Sequence, residues 1–229
     1  VQKLKSDFVA NVSHELRTPL QSIKLGLETI NNGHAADDAE SQKKIIPLVL
    51  QQTARMENIV NDLLSLSRIE LQEHIRPNDK IDINEIISHS VDLHQEILKK
   101  NNIICNIDKK TKDPIINGDR NRLIEVFNNL IDNAIKYSEK NKKITITTRS
   151  DDKNLTAIVK DEGIGISREN IPQITERFFR ANPAKSKEVG GTGLGLAIVK
   201  HIVNQHRAEM NISSEENKGT TISINFPKS

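Results

Sequence analysis

Cysteine and tryptophan are almost missing from this chain: there is one of the former, Cys105, and none of the latter. A lone thiol closes no internal disulfide, so no covalent staple holds the fold, and the usage fits a reducing compartment. Aromatic side chains make up 3% of the 229 residues, while 35% are hydrophobic; the core must therefore be built mostly from Ile, Leu and Val. No apolar run approaches the roughly 20 residues of a membrane span, and no signal-peptide pattern occurs. The net charge of +2 argues neither for nor against nucleic acid, and no nucleic-acid partner is expected. His34, His74, His89, His94, His201 and His206 show no metal-ligand spacing. The length suits one large domain or two small ones. Because Val1 falls inside a helical pattern, the chain is expected to be a fragment, with membrane or sensory parts upstream.

Two amphipathic helices fill the N-terminal third. Val1, Leu4, Phe8, Val12, Leu16, Leu20, Ile23, Leu27 and Ile30 recur at spacings of three and four, which is one apolar stripe. Asn31-Asn32-Gly33-His34 stops it, and a polar loop follows through Asp37, Asp38 and Glu40. A second stripe runs through Ile45, Val49, Met56, Ile59, Leu63 and Leu66. Pro47 implies that this helix starts late or bends, because a proline past the first turn removes a hydrogen bond. Two helices alone cannot bury both stripes, so a homodimeric four-helix bundle is expected.

The helix places an unusual trio on its wet side. At about 100° per residue, with Val12 at zero, His14 falls near about 200° and Thr18 near about 240°. Glu15 lies next to His14 in Ser13-His14-Glu15-Leu16-Arg17-Thr18-Pro19-Leu20. A neutral imidazole is a nucleophile, and it improves when a carboxylate holds its other ring N–H and takes up the proton. Pro19 frees a backbone carbonyl and favours a bend beside the reactive residue. Leu25 shares this face, either as a stray surface leucine or as a docking point for a partner that must reach His14.

Beyond a linker around Leu71–Asp79 the pattern changes. Ile81–Ile83 reads as a strand, Asn84–Lys99 as a helix, Ile103–Ile107 and Pro114–Ile116 as strands, and Arg120–Tyr137 as a strong helix. Alternating residues around Ile144, Leu155 and Ile222 add further strands. The expected fold is a mixed sheet with helices on one face, a two-layer α/β sandwich.

Four segments of this region answer needs of ATP. Asn129 and Asn133 share a helix face and offer neutral oxygens to a magnesium ion already carrying triphosphate charge; Lys136 brings positive charge for phosphate and Tyr137 a face for a base. In Asp161-Glu162-Gly163-Ile164-Gly165, the carboxylate accepts from the adenine amino group and repels the guanine carbonyl, while Gly163 and Gly165 let the backbone pass close to the base. Arg177-Phe178-Phe179-Arg180 supplies arginines for the phosphates. Gly190-Gly191-Thr192-Gly193-Leu194-Gly195 opens a helix whose amides can cradle polyphosphate, behind a lid containing Lys185, Ser186, Lys187 and Glu188.

In order and spacing these segments resemble the H, N, G1, F and G2 boxes of sensor histidine kinases, within the wider ATPase class that includes gyrase, Hsp90 and MutL. The resemblance covers nearly the whole chain. It implies a dimerisation and phosphotransfer domain at 1–73 and a catalytic ATP-binding domain at 74–229. By it, His14 is the phosphoacceptor, Glu15 its acid–base partner, and Thr18 the positioner of water for dephosphorylating a partner; Arg17 supports the site or is a solvated charge. Asn133 is assigned to Mg²⁺; Lys136 and Arg180 to phosphates; Tyr137 and Asp161 to the adenine, with Thr220 in a corner near the base. Asn129 stands where ATP-hydrolysing relatives carry a glutamate base, so the histidine, not water, is the expected nucleophile, and Glu125 reads as a surface charge. The segment Met56–Glu70 is similar to members of the phosphate-regulon sensor kinase group. The resemblance implies Mg-ATP as cofactor, a response regulator receiver domain as partner, phosphatase activity toward that regulator, and a cytoplasmic location below an inner-membrane sensor. The contrasting readings are a transfer-incompetent scaffold and an ATP-driven clamp of the gyrase or Hsp90 type; the intact His14, Asn133 and Asp161 oppose the first and Asn129 the second.

Overall fold

The computed structural model describes residues 2–32, 38–72 and 74–228. Val1, Gly33, His34, Asp37 and Glu73, which carry parts of the expected stripe, turn and domain boundary, lie outside the described residues, as do the side chains of Leu4 and Lys187.

The hairpin consists of α1 (Gln2–Asn32) and α2 (Ala39–Leu71). Asp38 starts α2 as its N-cap: its carboxylate accepts from the Ser41 hydroxyl and the Glu40 amide, and both bonds hold its pKa below the ordinary carboxylate range. The helix therefore begins well before Pro47, which corrects the late start the proline suggested. Pro47 is on the exposed side, where water can satisfy the carbonyl its missing N–H leaves free. The apolar stripe of α1 divides between two faces. Phe8, Val12, Leu16 and Ile23 turn inward with Pro19 and Gly26, but Leu20 and Leu27 are 55% and 53% exposed in the single chain. Gly26 marks the reason: a Cβ there would come within 2.7 Å of Val49 Cγ2. The helices touch along the small-residue edge, and the leucines flank the contact.

The second region begins with β1 (Asp79–Asp82), α3 (Ile83–Leu93), α4 (Gln95–Lys100), β2 (Ile104–Lys109), β3 (Ile115–Gly118) and α5 (Arg120–Lys136). It continues through β4 (Lys143–Ser150), β5 (Asn154–Asp161), a 3-10 turn (Ile171–Gln173), α6 (Pro183–Glu188), α7 (Gly195–Gln205), β6 (Glu209–Glu215) and β7 (Gly219–Pro227). A five-stranded sheet runs β2-β4-β5-β7-β6, with only the β2/β4 pair parallel; β1 and β3 form a separate antiparallel ribbon. α3, α5 and α7 cover one face of the sheet. Leu123, Val126, Phe127, Leu130 and Ile131 of α5 meet Ile144, Ile146, Leu155 and Ile224 of the strands in one buried core, each fully buried side chain contributing about 1.5–3 kcal/mol.

The expected two-layer α/β fold is present, with two differences in detail. The single helix expected over Asn84–Lys99 is broken at His94, whose ring Nδ1 lies 2.8 Å from the Ser90 carbonyl. The strand β6 was not foreseen; its alternation of exposed and half-buried residues is that of an edge strand with little apolar signal. One consequence of strand alternation sets up the site. The period that buries Leu155, Ala157 and Val159 also sends Asp161 inward at the end of β5.

Candidate nucleotide and phosphoacceptor sites

The last turns of α5, the end of β5, the 178–195 loop and the start of α7 surround a cavity of about 430 Å³, a size suited to a cofactor. Asp161 lies at its floor. Its Oδ1 accepts from Gly163 N at 2.8 Å and Thr220 N at 3.1 Å. Burial pushes its pKa above the usual carboxylate value, against those two bonds. Gly219 shapes this corner: it has φ +101°, and a Cβ on it would lie 2.1 Å from the Asp161 carbonyl oxygen. Tyr137 caps α5, and its hydroxyl lies 2.9 Å from the buried Ser186 hydroxyl, pinning α6 over the cavity.

The sequence-derived nucleotide residues do not all behave alike. Asn133, Lys136, Tyr137, Asp161, Gly165, Arg180, Gly191, Thr192, Gly193, Gly195 and Thr220 line the cavity together, and Gly163 joins through its amide. Leu194 does not line it; its side chain is fully buried, and its backbone N–H donates to the Thr192 hydroxyl oxygen at 3.2 Å. Asn129 also lines the cavity, but its amide nitrogen is spent on the Glu125 carbonyl at 2.9 Å. Lys136 pairs with Asp132 at 2.6 Å. Arg177 is absent from the cavity wall: its guanidinium stacks on the Phe8 ring at 5.2 Å and pairs with Glu70 of the hairpin, which corrects its placement over the phosphates.

His14 is exposed on α1, in a groove it shares with Asn11, Glu15 and the loop residues Glu176, Arg177, Phe178 and Phe179. Phe8 packs against Phe178 with ring centroids 6.1 Å apart, and Phe178 N donates to Gly193 O at 2.8 Å. The loop that roofs His14 is thereby tied to the glycine-rich run. Thr18, one turn on, donates its hydroxyl to the His14 carbonyl at 3.2 Å.

Glu15 does not hold the imidazole. Its carboxylate takes both arms of Arg180, at 2.7 and 3.3 Å, and lies 3.4 Å from Arg55 Nη2. Arg180 faces the nucleotide cavity and Glu15 the His14 groove, so this ion pair stands at their junction. Arg55 escaped the sequence reading; it is 9% exposed on the inner edge of α2, and a charge at such a position needs a buried partner. Asp62 of α2 escaped it too. It lines the nucleotide cavity with Asn58 and Asn61 and accepts from the Thr192 hydroxyl at 2.6 Å. Burial raises its pKa, and the nearby charges of Glu125 and Asp132 add to the rise.

Among the described residues no cluster of His, Cys, Asp and Glu could hold a metal ion alone. The donor present, neutral Asn133 on the cavity wall, fits a hard cation that arrives with its own phosphate ligands.

Comparison with known proteins agrees with this geometry. Residues 4–72 match the His Kinase A phospho-acceptor domain, and residues 118–229 match the histidine kinase-, DNA gyrase B- and HSP90-like ATPases. The chain is 37% identical over 229 residues to the sensor protein kinase WalK of Staphylococcus aureus, covering 99% of this chain and 54% of that protein. It is 32% identical over 228 residues to the sensor-like histidine kinase SenX3 of Mycolicibacterium smegmatis, covering 100% of this chain and 59% of that one. The chain thus spans little more than half the length of these relatives. Among solved structures, the Acinetobacter baumannii histidine kinase AdeS superposes with a TM-score of 0.74 at 26% identity over 94% of this chain and 98% of that one. Histidine kinase ThkA, in its complex with the response regulator protein TrrA, gives 0.78 at 25% identity over 100% of this chain and 63% of that one. With a phosphoacceptor hairpin and an ATPase-fold domain in one chain, this protein belongs to the sensor histidine kinases.

Proposed function

We propose that the chain is a kinase core that phosphorylates His14 from Mg-ATP and passes the phosphoryl group to an aspartate of a response regulator receiver domain. The observation that carries this reading is the shared loop: residues 176–180 roof the His14 groove at one end and wall the nucleotide cavity at the other. Adenine is read by Asp161 and Tyr137, and the phosphates lie toward Lys136, Arg180 and the amides of 190–195. Asn133 would hold a magnesium ion, which would supply charge neutralisation on the phosphate oxygens. The imidazole lone pair of His14 forms the N–P bond as the bond from phosphorus to the β-phosphate oxygen breaks and ADP leaves. The other ring nitrogen then gives up its proton to Glu15, so Glu15 must first leave Arg180. Asn129, engaged through its amide with the Glu125 carbonyl, offers no base for water, which supports transfer to histidine over hydrolysis.

The units 1–73 and 74–229 act as phosphotransfer and catalytic domains. Exposed Leu20, Leu27, Leu48 and Leu50 of the hairpin support a homodimeric bundle. Leu25, 66% exposed on the His14 face, and Thr18 support receiver docking and its dephosphorylation. By likeness to sensor kinases, the core sits on the cytoplasmic side of an inner membrane; among the described residues no helix is long and apolar enough to cross one. Incubation with γ-labelled ATP and Mg²⁺ tests the proposal: wild type takes up label and His14→Ala does not. Equal labelling of both, or of neither, refutes it.

A further inference from the structure

The hairpin reaches into the nucleotide cavity with a carboxylate. Asp62 of α2 lines that cavity together with Asn133, Lys136, Gly190, Gly191 and Gly193. It accepts the Thr192 hydroxyl at 2.6 Å, and the same hydroxyl oxygen accepts Leu194 N at 3.2 Å, at the entry to α7. Arg180 closes the arrangement from the side, donating to the Thr192 carbonyl at 3.2 Å and to Glu15 at 2.7 Å. Two hairpin carboxylates, one from each helix, therefore sit on elements of the ATPase domain that are built to receive anions.

We infer that Asp62 occupies part of the triphosphate site as an internal anion, so that ATP binding and docking of the hairpin on the glycine-rich loop exclude one another at this point. The inference rests on the reading that the cavity takes ATP. A triphosphate placed on Thr192 and the 190–195 amides would meet the Asp62 charge at close range, where like charges repel. Glu125 and Asp132 already stand near it, and Lys136 is the charge that offsets them; Lys136 is shared with Asp132, so a triphosphate and Asp62 compete for the same cation. The docked hairpin thus lowers affinity for phosphate-bearing nucleotides while leaving the adenine floor at Asp161 untouched. By linkage, ATP binding weakens the hairpin contact by the same factor.

The test is equilibrium binding of AMPPNP with Mg²⁺, and separately of adenosine, to the full chain as wild type, Asp62→Asn and Asp62→Ser, each checked by thermal melting. Asp62→Asn keeps an acceptor for Thr192 and removes only the charge; Asp62→Ser removes both charge and reach. Both variants should bind AMPPNP more tightly, by about fivefold or more, with adenosine affinity unchanged. Unchanged or weaker AMPPNP binding overturns the inference, and weaker binding would make Asp62 a helper of the magnesium-bound phosphates. An equal gain for adenosine also overturns it, since that would report a loosened wall. If no form binds any nucleotide, the ATP reading itself fails and this inference falls with it; if wild type binds and the variants match it, only the inference falls.

Discussion

Replacing Asp161 by Asn should weaken ATP binding, relax the preference for adenine and leave the apoprotein at least as stable. Both backbone donors at this residue, Gly163 N and Thr220 N, converge on Oδ1. They hold the carboxylate by Oδ1 and leave its other oxygen for the cavity that Asp161 lines. An Asn side chain would give its carbonyl to the same two donors and present its NH₂ to the base. A donor then opposes the adenine amino group, and a hydrogen bond to a charged group, typically about 1.5–3 kcal/mol, is lost. ATP affinity falls by about 10- to 150-fold, while GTP, whose carbonyl accepts from that NH₂, loses less or gains. Acidification mimics the substitution. Binding needs the ionised carboxylate, and burial raises its pKa; wild-type ATP affinity therefore falls, as pH drops, at a higher pH than an exposed aspartate would dictate. For folding, the sign reverses. A folded-state pKa raised above the unfolded value gives stability that is present at low pH and lost as pH rises through the folded pKa. At neutral pH the ionised Asp161 costs stability, and Asp161→Asn removes that cost. Titration calorimetry with ATP and GTP, beside melting curves of the apoproteins, reads all of this. Unchanged ATP affinity, or equal losses for both nucleotides, would refute the reasoning.

Three further substitutions probe separate parts of the structure. His206 is buried with Nδ1 donating to Ile202 O at 2.8 Å and Nε2 accepting Asp119 N at 3.0 Å; burial lowers its pKa below 6.5, so its contribution is full above that value and lost as pH falls toward the folded pKa. The melting-temperature gap between wild type and His206→Gln should accordingly narrow from neutral pH to about pH 5, and a constant gap would show that the ring is not held neutral. Gly219→Ala combines a φ of +101° with a Cβ 2.1 Å from the Asp161 carbonyl; backbone strain alone costs about 1–3 kcal/mol, and denaturant unfolding should show a loss of at least that size. Gly26→Leu drives a side chain into Val49 across the hairpin and should destabilise it by about 1–3 kcal/mol, read as a lower helical melting temperature; an unchanged melt would mean the two helices can separate there freely.

Periodicity carried much of the fold, and its failures have specific causes. Buried Leu123, Phe127, Leu130 and Ile131 repeat at helical spacing, and Leu155, Ala157 and Val159 alternate strictly, so α5 and β5 were legible. Leu20 and Leu27 repeat just as well, yet an apolar stripe does not say whether its partner is the next helix or a second copy of the chain. The start of α2 depends on the Asp38 cap, a local hydrogen-bond choice that the apolar pattern does not register. The cavity floor at Asp161 was legible because Asp161 and its glycines are neighbours in sequence. The contacts of Glu15, Arg55, Asp62 and Arg180 were not, since they join residues far apart in the chain.

The most direct measurement is mass-spectrometric mapping of the phosphorylated residue after incubation with Mg-ATP, with the sample kept alkaline so that a phosphoramidate survives. The phosphoryl group should be found on His14, and brief acid treatment should remove it. Phosphate on Ser13, on Thr18 or on another histidine, or an acid-stable modification, would contradict the assignment of His14 as the acceptor.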